Sequence, residues 1–69
     1  MDEEEQILRL QIKLEHWITH NKEHAESFRK AARDAEEIGL VEVSKRLREA
    51  EKSMEEISAV LAAAIDELL

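Results

Sequence analysis

From Ile7 to Leu68 apolar residues return at alternating intervals of three and four, in two runs with Gly39 between them. The first run is Ile7, Leu10, Leu14, Trp17, Asn21, His24, Phe28, Ala31, Ala35 and Ile38, broken in type only at Asn21 and His24. The second is Leu40, Val43, Leu47, Ala50, Met54, Ile57, Leu61, Ala64 and Leu68, with no polar member. Such spacing marks the a and d positions of the heptad abcdefg, the pattern of an α-helix that buries one stripe against another helix. A strand would alternate every second residue, and a disordered chain would show no period. The fold class is therefore all-α.

Gly39 sets the topology. A lone glycine after a long periodic segment suits a left-handed C-terminal cap, where it carries no Cβ penalty. The chain has no proline, so no other strong breaker competes with it. At the other end, Asp2 and Glu5 have the spacing of a capping box, and Glu3, Glu4 and Glu5 suit the positive end of the helix dipole. The expected helices run over about 3–38 and about 41–68, within one domain spanning 1–69. So short a connection makes them antiparallel neighbours, a two-helix hairpin.

A hairpin of 69 residues has little interior. Leu8, Ile12 and Ile18 lie beyond the first seam, with Ala25 and Ala32 at its e positions, and Val41, Ala59, Val60, Ala62, Ala63, Ile65 and Leu69 lie beyond the second. That much wet apolar surface is more than a soluble monomer usually carries. The expected remedy is a homodimer, two hairpins forming a four-helix bundle. An apolar helix face left open would instead suit another protein. Ala25, Ala31, Ala32 and Ala35 should let the helices approach closely near the turn, while Leu10, Leu14 and Trp17 should meet Leu61, Ile65 and Leu68 at the wide end.

Seventeen Asp and Glu outweigh ten Lys and Arg, for a net charge of −7, which disfavours a grip on nucleic acid. The longest apolar run, 59–65, is far too short to span a bilayer, so no membrane role is expected. The acidic start MDEEEQ is unlike a secretory or transit segment, and no cysteine implies an oxidising compartment, so a cytoplasmic location is expected. No Gly-rich phosphate loop, Cys nucleophile or strained serine turn is present, and the expectation is a protein that is not an enzyme.

One constellation could carry chemistry. His16, His20 and His24 stand four apart in the stretch HWITHNKEH. Residues four apart share a helix face, so His16 with His20, or His20 with His24, can present two imidazoles to one ion. All three cannot, because His16 and His24 are about 12 Å of rise apart. Further ligands must come from elsewhere: Glu23 on the same helix, Glu55 from the second helix, or His20 and His24 of another copy packed antiparallel about a two-fold axis near residue 20. Imidazole favours zinc, nickel, copper or iron over magnesium and calcium. The competing reading is structural. Asn21 at a and His24 at d would form a polar layer that fixes register and partner choice.

The segments HWITHNKEHAESFRKAA and GLVEVSKRLREA together resemble small prokaryotic helical proteins, chiefly archaeal, with a Trp-x-x-His-Asn-x-x-His-Ala core and a Gly-Leu hinge. The pattern falls on Trp17, His20, Asn21, His24, Ala25, Gly39 and Leu40. The resemblance implies the hairpin and directs attention to His16, His20, Asn21 and His24. It implies no activity and no particular metal.

Overall fold

The computed structural model describes residues 2–69. Two α-helices, α1 (Glu3–Glu37) and α2 (Val41–Leu68), pack as a hairpin whose backbone measures 55 × 15 × 11 Å. No helix among the described residues is long and apolar enough to cross a membrane.

The helix ends follow from local chemistry. Asp2 is extended and its Oδ1 accepts the backbone N–H of Glu5 at 2.8 Å, capping α1. At the far end Gly39 takes a φ of +80°. The Leu40 N–H donates to the Ala35 carbonyl at 2.8 Å and the Gly39 N–H to the Glu36 carbonyl at 3.1 Å. These two bonds are a Schellman motif, and they satisfy carbonyls that a helix end otherwise leaves bare. α2 then begins with no side-chain cap, its first backbone bond running from the Ser44 N–H to the Leu40 carbonyl at 3.0 Å.

The seam between the helices is rotated from the expected one. On α1 the buried or half-buried positions are Ile7, Gln11, Leu14, Ile18, Asn21, Ala25, Phe28, Ala31, Ala32 and Ala35. All but Ala31 are a and e positions, whereas the expected stripe is a and d. On α2, taking Leu47 as a, the inward line is Ser44, Leu47, Ala50, Glu51, Met54, Ser58, Leu61, Ala64, Ile65 and Leu68, again a and e apart from the half-buried d residues Ala50 and Ala64. Ala25, Ala32, Ala35, Ser44 and Ser58 are buried, so small side chains bring the two backbones together as the alanines suggested. Leu10 and Trp17 do not close the wide end. They are 44% and 46% exposed, and Val43 and Ile57 on α2 are 48% and 45% exposed. No large side chain among the described residues is fully buried.

Candidate functional site

Which flank of α1 lies beside which flank of α2 is settled by polar contacts. Glu36, at b on α1, accepts on its Oε1 from Ser44 Oγ at 2.8 Å and from Arg48 Nε and Nη2 at 3.0 and 2.7 Å. Arg48 is at b on α2, so the two b flanks share one broad face. A cleft of about 230 Å³ on that face is lined by Asn21, Lys22, Ala25, Arg29 and, across from them, Glu51, Met54, Glu55 and Ser58. Successive residues turn by about 100°, which puts the d positions on the other side of the seam from b. Leu10, Trp17, His24 and Ala31 on α1 therefore share the opposite face with Val43, Ala50, Ile57 and Ala64 on α2. One face is charged and the other is apolar.

The three histidines climb obliquely across the outside of α1. All are exposed. Ring centroids are 6.2 Å apart for His16 and His20, and 4.6 Å for His20 and His24. The ladder ends on Phe28, 6.0 Å from His24 and stacked at an interplanar angle of 23°. His24 borders the apolar face at d, His20 stands at g, and His16 at c points away from α2. Of the two pairs expected to share a face, His20 and His24 are the closer.

The remaining expected ligands do not join them. Glu55 lines the charged cleft with Lys22 and Arg29, across the seam from His24. Glu23 shares the outer c line with His16, and its carbonyl accepts the Ser27 hydroxyl at 3.1 Å. Among the described residues no group of three His, Cys, Asp or Glu could hold a metal ion. Within one chain, His20 and His24 therefore have no third ligand from among His16, Glu23 and Glu55. The cause is helix rotation, which carries Glu55 to the b side. Nor do Asn21 and His24 form one layer here. Asn21 is half-buried in the seam and lines the same cleft as Ser58, while His24 is exposed.

Two polar features were not anticipated. The first is the Glu36, Ser44 and Arg48 cluster at the turn. α1 ends in Glu36 and Glu37 with no basic residue in its last turn, against the helix dipole. Arg48 supplies the missing cation from α2, and it leads Ser44 in holding the Glu36 carboxyl below its usual range. Counting outward equally from Gly39 would have paired Glu36 with positions near 42–44, which is the signal available in the sequence. The second is Ser58, whose buried hydroxyl has no hydrogen-bond partner. Beside it, Glu26 is held below its usual value by Arg29, whose guanidinium is strengthened in turn by Glu26 and then by Glu51 and Glu55.

No solved structure matches the chain. An uncharacterized protein of Archaeoglobus fulgidus is similar, 38% identical over 53 residues that cover 77% of this chain and 84% of that protein. This agrees with the expected likeness to small archaeal proteins. A family model described as a domain of unknown function, DUF8180, matches residues 10–68, and the chain belongs to that family.

Proposed function

We propose that this chain is a non-enzymatic, homo-oligomeric helical module that dimerises through its apolar face into a four-helix bundle. One observation carries the reading: Leu10, Trp17, Val43 and Ile57 share one face of the hairpin and are each nearly half exposed. Fully burying such side chains is worth roughly 1.5–3 kcal/mol each, and within one chain nearly half of that stabilisation is unused. The available area suits a second copy. A face of 55 × 15 Å is close to the roughly 800 Å² per partner of a standard interface. With a second hairpin in place, the a and d residues become the centre of the bundle and the small e residues remain the contact within each hairpin. Sedimentation equilibrium is the test. The expected species at micromolar concentration is twice the 8.0 kDa chain mass, and a compact helical monomer there overturns the reading.

A second reading, divalent transition-metal binding, draws on the 4.6 Å separation of the His20 and His24 rings. Two imidazoles on successive turns supply half of a tetrahedral shell, so zinc or nickel would need its other ligands from outside the chain. Calorimetric titration with either ion, on the parent and on His20→Ala with His24→Ala, tests it. Micromolar or tighter binding lost in the double variant supports the site, and no binding heat in the parent overturns it.

A further inference from the structure

We propose that the two copies pack through this apolar face with their Gly39 turns at the same end, so that Lys13 and Asp34 of each meet Glu67 and Arg46 of the other. The inference rests on the dimer reading above and adds the arrangement and the residues that select it. In a four-helix bundle the g positions border the helix of the neighbouring hairpin. Here they are Lys13, His20, Ser27 and Asp34 on α1, and Arg46, Ser53, Val60 and Glu67 on α2. Ser44 bonds to Glu36, which fixes the level of α2 against α1. Counting outward from that pair brings Asp34 level with Arg46, Ser27 with Ser53, His20 with Val60, and Lys13 with Glu67.

Within one chain these g residues sit on opposite outer edges of the apolar face and do not meet. A two-fold axis along the length of the hairpin lays α2 of the second copy over α1 of the first at the same height. Each level pair then faces across the interface. Lys13 opposes Glu67 and Asp34 opposes Arg46, four opposite-charge pairs in the symmetric dimer. Among the described residues Lys13, Asp34 and Glu67 make no ion pair within their own chain, and Arg46 reaches only Glu49, along its own helix. The same axis sets Trp17 level with Ala64 and His24 level with Ile57, a large side chain beside a small one in the first of these layers.

Turning the second copy end for end gives a poorer match. The axis would then cross α1 near its midpoint, residue 20, and α1 would lie on α1. Lys13 would meet Ser27, His20 would meet its own copy, and on α2 Ser53 would meet Glu67. No opposite charges are paired. That is also the arrangement which would gather four histidines, so the two packings make opposed statements about His20.

The chain has no cysteine, which allows a direct test. Ser27→Cys with Ser53→Cys should give a covalent dimer on a non-reducing gel, and neither single variant should. The two positions project from separate edges of one hairpin, out of disulfide reach of each other. In sedimentation, Lys13→Glu should weaken the dimer about fivefold, and adding Glu67→Lys should restore it. Covalent dimer from His20→Cys alone, or a charge reversal without effect on a dimer that still forms, overturns the arrangement and leaves the dimer standing. A parent chain that stays monomeric overturns the dimer itself.

Discussion

Two serines at e positions of α2 show how partners decide what a buried hydroxyl does. Ser44 gives its hydrogen bond to Glu36, whereas Ser58 is buried with none. An unsatisfied buried hydroxyl costs about 1–3 kcal/mol, and a methyl group in its place removes that cost. Ser58→Ala should therefore raise stability by about 1 kcal/mol in a urea titration. Ser44→Ala should lower it by a similar amount, because it leaves Glu36 with Arg48 alone. A loss at both positions would contradict the account of Ser58. Glu36 carries one part of the pH dependence. Its carboxyl is lowered on folding, chiefly by Arg48 and then by Ser44, so the charged form is favoured in the hairpin. The contribution is present above the unfolded carboxyl value and fades as pH falls through the lower folded one. Both partners are nearly half exposed, so the effect is modest. The parent should be more stable than Glu36→Gln at pH 7, and urea titrations at pH 3 should show the difference shrinking.

At the scale of the helices, the connection is held by backbone geometry more than by side chains. A Cβ on Gly39 would meet nothing within 4 Å, so replacing it tests the left-handed φ alone. Gly39→Ala should cost about 1 kcal/mol with helix content unchanged by circular dichroism. A neutral result would mean that the turn relaxes without cost. The same elements show how far the sequence could be read. Three-and-four spacing and a single glycine suffice for two helices and a hairpin, because both signals are local. The rotation of each helix about its own axis is not local. Leu10, Trp17, Val43 and Ile57 stand at d, and spacing alone assigns them to the seam. Ala25, Ala32, Ser44 and Ser58 take that place because they permit the closest backbone approach. The candidate site was readable to the same depth. His20 and His24 sit together because i, i+4 is a property of one helix. Glu55 falls on the other face because its position depends on how two helices are turned.

For the whole molecule, the hairpin reads as half of a core. The most deeply buried positions of its seam are mostly alanine and serine, while Leu10, Trp17, Val43 and Ile57 stand on a face where each stays nearly half exposed. A sequence that needed only a hairpin would gain by placing leucine in the seam and charge on that face. No charge stands at a d position between Leu10 and Ala31 on α1, or between Val43 and Ala64 on α2, where every d residue is apolar except His24. The opposite face supplies an internal control. Leu8, at b, is 56% exposed, more than the 46% of Trp17 at d. Judged by exposure within one chain, a charge should be tolerated nearly as well at Trp17 as at Leu8. Judged by a bundle, the two positions differ sharply. Leu8→Lys should leave the melting temperature and its rise with protein concentration unchanged, since exposed substitutions usually fall within about 0.5 kcal/mol. Trp17→Lys should abolish that concentration dependence and lower the melting temperature, because a dimer gains stability by mass action and a monomer cannot. Melts of both variants across a hundredfold range of concentration decide the matter, and equal behaviour at the two positions would mean that the hairpin stands alone.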